Sequence, residues 1–164
     1  ADLILLFELF PDDFDEQVKT KNFNYYEPKT IHDSSLSKAT HSIVAFDIGQ
    51  TELAERYFKD SLNIDFTEKS YSQNGIHAAS MYRPFWVLFR GILGGYITSK
   101  GILSFSPKRQ SLIKDFNMEI HCFGRLLKIE YGDDLKITLI SGAALTILFN
   151  HKEFHLESQI IYKF

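Results

Sequence analysis

The hydrophobic pattern of this chain changes period once, near Gly94-Gly95. Before that point apolar residues recur at helical spacing, and after it they alternate with polar ones. Residues 2–10 are almost wholly apolar and stop at Pro11, which predicts a buried first helix ended by the proline. Asp12 or Asp13 is placed to cap a second helix over residues 14–24, carrying Phe14, Val18 and Phe23. Pro28 biases Glu27 away from the α region, so the chain is expected to reach the next helix extended. That third helix is the one the rest is organised around. His32, Asp33, Ser34 and Ser35 are candidate caps at its start, Leu36, Ala39, Ile43, Val44 and Phe46 form its apolar stripe, and Gly49 is placed to end it in the left-handed conformation. Thr51 is placed to cap a fourth helix through Leu62, with Leu53, Ala54, Tyr57 and Phe58 as the buried stripe. Residues 65–74 are polar and read as a loop. A fifth helix is expected over 77–91, kinked or interrupted at Pro84.

From Gly95 the period is two. Phe116, Met118, Ile120 and Cys122 alternate with polar residues, as do Leu127, Ile129 and Tyr131, and Gly132-Asp133-Asp134 separates the latter run from a strand over 135–139. Residues 144–149 and 159–164 are further candidate strands. The fold class expected is α+β: helical hairpins over 1–94, then an antiparallel β module over 95–164, a sandwich, with Gly91 and Gly94-Gly95 as linker.

Composition narrows the function classes. The chain has 164 residues, of which 45% are hydrophobic and 15% aromatic, enough for a real core and outside the range of disordered chains. A net charge of −3 argues against a broad nucleic-acid footprint. No apolar run reaches membrane-spanning length, and the opening segment lacks the basic start of a signal peptide. Cys122 is the single cysteine, so no internal disulfide forms, which fits a reducing, cytoplasmic setting.

The candidate chemistry lies at the start of the third helix. Ser34, Ser35 and His32 gather where a helix exposes unpaired N–H groups, an arrangement suited to an anion, although capping alone also explains serines there. His32, His41 and His77 match no zinc spacing, no serine stands in a Gly-x-Ser-x-Gly elbow, and no glycine-rich nucleotide loop is present.

The wording of three blocks resembles glycoside hydrolase family 65, which contains maltose, trehalose and kojibiose phosphorylases. The blocks are Tyr26-Glu27-Pro28-x-Thr30-x-His32-Asp33-Ser34-Ser35-Leu36-Ser37 followed by His41-Ser42-Ile43, then Gly75-Ile76-His77-Ala78-Ala79-Ser80-Met81, then Gly101-Ile102-Leu103-Ser104-Phe105-Ser106-Pro107. Ala1-Asp2 is similar to the second half of the family's Lys-Gln-Ala-Asp, which places the chain at the family's C-terminal end. The resemblance implies the last part of an (α/α)6 barrel over 1–94 and a jelly-roll-like β-sandwich over 95–164. It implies inverting phosphorolysis of a disaccharide, giving glucose 1-phosphate, with inorganic phosphate as co-substrate and no other cofactor or metal. Ser34, Ser35 and His77 would hold phosphate, with Glu27 and His32 standing behind them. The general acid would be a glutamate upstream of Lys-Gln-Ala-Asp, so no catalytic residue is expected in this chain.

Such a piece would associate with a missing N-terminal catalytic portion or with a second copy, and would bind neither nucleic acid nor membrane. The alternative is a non-catalytic relic or a carbohydrate-binding or interaction module. One departure stands out. After Met81 the family reads Gly-Gly-Thr-Trp, whereas this chain has Tyr82-Arg83-Pro84-Phe85-Trp86, which reads as crowding or drift, or as Arg83 offering a new anion contact.

Overall fold

Pro11 does end the first helix. In the computed structural model, which describes residues 2–66 and 77–164, α1 spans Asp2–Leu9 and buries Ile4, Phe7 and Glu8. Pro11 opens a 3-10 turn, Pro11–Asp13, because its fixed φ suits a first helical position. Asp12 and Asp13 lie inside that turn and therefore do not cap α2 (Glu16–Tyr26). Asp15 does, its carboxylate accepting the Val18 N–H at 2.7 Å.

The extended approach expected at Glu27 is also corrected. Glu27 is α-helical, with φ −55 and ψ −51, and α2 runs on into a second 3-10 turn, Glu27–Lys29, with Pro28 near its start. The bias before proline is a preference. Here the turn's own closure outweighs it, with Thr30 N–H donating to the Glu27 carbonyl at 3.0 Å and Thr30 Oγ1 to the Tyr26 carbonyl at 2.9 Å. The backbone becomes extended only at Thr30.

The third helix, α3 (Ser37–Asp47), packs against α1, α2 and α4 and against the end of the fifth helix. Its residues Ala39 to Phe46 are all buried. It ends as its sequence implies. Gly49 takes φ +74, its N–H donates to the Phe46 carbonyl at 3.2 Å, and the Gln50 N–H donates to the Ala45 carbonyl at 2.9 Å, the paired bonds of a Schellman stop. Because that stop already uses Gln50, α4 (Thr51–Leu62) begins at once. Gln50 occupies the cap position expected of Thr51, with no side-chain cap. Ala54, Tyr57 and Phe58 are buried in α4, and Leu53 is half-buried.

Of the loop expected over 65–74, the part beyond Phe66 lies outside the described residues. α5 (Ala78–Trp86) runs through Pro84 without a break, and the helix then widens to a π segment, Val87–Ile92. Widening next to a residue that cannot donate its N–H is a common adjustment. The π segment approaches α3 so closely that a Cβ on Gly91 would stand 2.8 Å from the Phe46 ring, which is why glycine occupies that position. No helix among the described residues is long and apolar enough to cross a membrane.

By its contacts the chain divides into two compact units, Ala1–Ile92 and Leu93–Phe164. The second holds two four-stranded sheets. β1 (Tyr96–Ile97), β2 (Leu103–Phe105), β6 (Leu145–Phe149) and β7 (Lys152–Leu156) form one, in the order β1-β2-β6-β7. β3 (Phe116–Cys122), β4 (Arg125–Tyr131), β5 (Asp134–Ser141) and β8 (Gln159–Lys163) form the other, in the order β3-β4-β5-β8. All pairings are antiparallel except β2 with β6, which is parallel and departs from the purely antiparallel module expected.

Two tight hairpins set the register. Phe123-Gly124 joins β3 to β4 and Asn150-His151 joins β6 to β7, each with both residues at positive φ, the geometry whose twist matches the flanking strands. Leu127, Ile129, Leu135, Ile137, Ile147 and Phe149 are fully buried. The inner faces meet where Phe149 of one sheet stacks on Tyr162 of the other, with ring centroids 5.0 Å apart.

Candidate anion site

Helix α3 starts at Ser37, so Ser34 and Ser35 sit in the turn ahead of it. Ser34 is exposed, and its Oγ accepts the Leu36 N–H at 3.3 Å, a local turn bond. Ser35 is tied to a distant element. Its Oγ accepts a hydrogen bond from Ser80 Oγ at 2.5 Å, and Ser80, in the first turn of α5, is 2% exposed.

His77 is the residue before α5, three positions ahead of Ser80, so one helical turn carries both. Asp65 holds it twice. The His77 backbone N–H donates to Oδ2 at 2.9 Å, and Nδ1 pairs with Oδ1 at 2.7 Å. With Nδ1 engaged, Nε2 is the ring atom with hydrogen-bonding capacity for a ligand: an acceptor on the neutral ring, a donor on the protonated one. The structure thus brings Ser35 and the start of α5 together through Ser80, while Ser34 stands beside them on the solvent side.

His32 and Glu27, both half-buried, belong to a separate cluster around the buried His41 and Tyr57. His32 is strained into the left-handed region, φ +58, and its Nδ1 meets Ser37 Oγ at 2.9 Å. Its ring packs edge-on to His41, centroids 4.6 Å apart, and beside Tyr57 at 4.9 Å. Burial lowers the His32 pKa. His41 is fully buried, and neither ring nitrogen has a hydrogen-bond partner. Burial, with the His32 ring adding to it, pushes its pKa down to about 3. Tyr57 donates its hydroxyl to Glu27, and burial first, then that bond, push the Tyr57 pKa up to about 12. Glu27 pairs with Tyr57, and His32 meets Ser37 at the start of α3.

Arg83 points its guanidinium into an ion pair. Both terminal nitrogens reach the Glu8 carboxylate, at 2.9 and 2.7 Å, one of them also donating to Thr40 Oγ1 at 2.7 Å. Trp86 Nε1 donates to Glu8 as well, at 2.9 Å. Glu8 is 3% exposed, and a carboxylate that deep requires such partners. The Arg83 guanidinium is thus engaged by Glu8 and Thr40, and Tyr82 is 70% exposed.

Two members of the site were not foreseen in the sequence. Ser80 carried a usable signal, since it follows His77 by three residues on one helix. Asp65 carried none, lying twelve residues from its histidine in a polar stretch. Among the described residues no group of three or more His, Cys, Asp and Glu side chains is placed to hold a metal ion.

Comparison with known proteins fits this geometry into a family. Residues 1–85 match the profile described as the glycosyl hydrolase family 65 central catalytic domain. A kojibiose phosphorylase of Halothermothrix orenii is 35% identical over 135 residues, covering 82% of this chain and 17% of that protein. An α,α-trehalose phosphorylase of Thermoanaerobacter brockii is 34% identical over 163 residues, covering 95% of this chain and 20% of its own length. A solved structure described as a putative kojibiose phosphorylase from human microbiome superposes with a TM-score of 0.90 at 27% identity, over 100% of this chain and 23% of that one. The chain thus spans roughly a fifth of the length of these relatives. It belongs to glycosyl hydrolase family 65.

Proposed function

We propose that this chain is the C-terminal portion of an inverting disaccharide phosphorylase and supplies the phosphate-binding side of its active site. The observation that carries the reading is the joining of Ser35 to the His77 end of α5 through Ser80, which assembles hydroxyl and imidazole donors from two helix starts. In this reading residues 1–92 are the last helices of an (α/α)6 barrel and 93–164 a jelly-roll-like β-sandwich, in a cytoplasmic enzyme. The remaining portion of the barrel, or a second copy, covers the apolar side chains Leu5, Leu9, Phe10 and Phe85 that α1 and α5 expose.

The reaction breaks the glycosidic C1–O bond and forms a C1–O bond to phosphate on the opposite face of the sugar. A carboxylic acid delivers its proton to the departing sugar oxygen. Phosphate takes the place of an activated water, so the site needs donors for phosphate oxygens where a hydrolase needs a base. Ser34 and Ser35 hydroxyls and the protonated His77 Nε2 supply them. Glu27 is held by Tyr57 and takes no part in the proton transfer. The acid comes from the portion of the family upstream of Ala1-Asp2, so the chain by itself yields no glucose 1-phosphate from maltose, trehalose or kojibiose.

The test is a titration of the labelled chain with inorganic phosphate, followed by NMR on wild type, Ser35→Ala and His77→Ala. Shifts should centre on 34–37 and 77–80 and weaken in both variants. Equal shifts in all three proteins, or shifts confined to the β unit, refute the assignment.

A further inference from the structure

We infer that Ser80 is a positioning residue of this site: it fixes the Ser35 hydroxyl so that the Ser35 proton is presented to the bound anion. The inference rests on the phosphate reading above. A serine hydroxyl carries one proton and two acceptor lone pairs. Ser80 is 2% exposed, and its Oγ donates to Ser35 Oγ at 2.5 Å. With Ser80 as the donor of this bond, Ser35 keeps its own proton for the anion, and a bound anion favours that direction over the reverse. Ser35 is half-buried, so part of its surface is left to a ligand.

The direction matters because an unprotonated phosphate oxygen only accepts. A serine that donated to Ser80 would turn a lone pair toward the anion and repel it. The chain Ser80 to Ser35 to anion instead aligns every O–H, and an O–H whose oxygen already accepts a bond is polarised into a stronger donor. The same turn of α5 that anchors Ser35 is itself anchored through His77 to Asp65. Ser34 has a different arrangement: its oxygen takes the N–H of Leu36 in its own turn, at 3.3 Å. Ser35 is therefore the orientated hydroxyl of the pair and Ser34 the adaptable one.

Phosphate affinity of the whole chain, measured by the NMR titration, separates the roles. Ser80→Ala should weaken binding by about three- to tenfold, the worth of one hydrogen bond to the orientated hydroxyl. Ser80→Cys, which keeps the size and removes the strong donor, should weaken it similarly, and Ser80→Thr, which keeps the hydroxyl, should bind within about twofold of wild type. Adding Ser80→Ala to Ser35→Ala should cost nothing further, because the effect of Ser80 passes through Ser35. Trp86 fluorescence monitors folding, and if Ser80→Ala does not fold, Ser80→Cys and Ser80→Thr carry the comparison. Wild-type affinity in Ser80→Cys or Ser80→Ala, with Ser35→Ala and His77→Ala impaired, overturns the role of Ser80 and leaves the site standing. Absence of phosphate shifts at 34–37 in wild type removes both.

Discussion

His41 sits at the centre of the helical unit with no exposed surface, between the rings of Phe23, His32 and Tyr57. Its folded pKa is about 3, against 6.5 for the ordinary group, so the folded state refuses a proton that the unfolded chain accepts. Stability from this residue is fully present above about pH 6.5 and is lost as pH falls toward 3, since the unfolded state then binds more protons. At pH 5 the difference between those two titrations amounts to about 2 kcal/mol, a sizeable part of a domain's usual 5–15 kcal/mol. His32, also lowered by burial, acts with the same sign. Replacing His41 with phenylalanine keeps an aromatic ring in the cluster and removes two buried, unpartnered nitrogens. The chain holds one tryptophan, Trp86, and it lies on α5, so its fluorescence during urea unfolding reports on the helical unit. Between pH 7 and pH 5 the wild type should lose about 2 kcal/mol more than His41→Phe. Carboxylates titrate in both proteins and cancel in the comparison. Equal losses in the two would mean that the His41 ring is protonated in the folded state, and the account of the cluster would fail.

Arg83→Ala leaves the Glu8 carboxylate buried without its bidentate partner and should cost about 3–5 kcal/mol of stability by thermal unfolding, part of it recovered by adding Glu8→Gln. An unchanged melting point in Arg83→Ala would show that solvent reaches Glu8. Gly91→Ala should destabilise by about 1–3 kcal/mol, because the added methyl meets the Phe46 ring, and a melting curve like wild type would refute the close approach of the π segment to α3. Limited proteolysis should cut the helical unit first and leave a core near 93–164, since α1 and α5 expose large apolar side chains while the β unit is tightly laddered. Resistance throughout the chain would count against that order.

How much of this was legible from residues alone depended on the range of the interaction concerned. The stop at Pro11, the glycine end of α3 and the alternation in β3, β4 and β5 are written within a few residues, and they read correctly. Asp15 rather than Asp12 or Asp13 caps α2 because Pro11 opens a turn that takes up both earlier aspartates. Strand β7 was missed because Lys152, Glu153, Phe154 and His155 are all exposed, leaving only Leu156 to mark an inner face, although Asn150 ahead of it is a favoured residue for a tight turn. The parallel pairing of β2 with β6 joins segments more than forty residues apart, and no periodicity encodes a partner at that distance. The site divides along the same line. Ser35 and His77 stand in recognisable wording, whereas their anchors Ser80 and Asp65 act across 45 and 12 residues through side-chain contacts alone.

The Glu8 ion pair also sets an order of assembly. Glu8 is made 75 residues before Arg83 and 78 before Trp86. At ribosomal speeds of about 5–20 residues per second, the carboxylate of α1 waits several seconds for the groups that let it be buried. Until they emerge it must stay hydrated, and with it the turn of α1 that bears Phe7. Of these helices, the one made earliest is then among the last to dock, and its burial is completed only when α5 arrives.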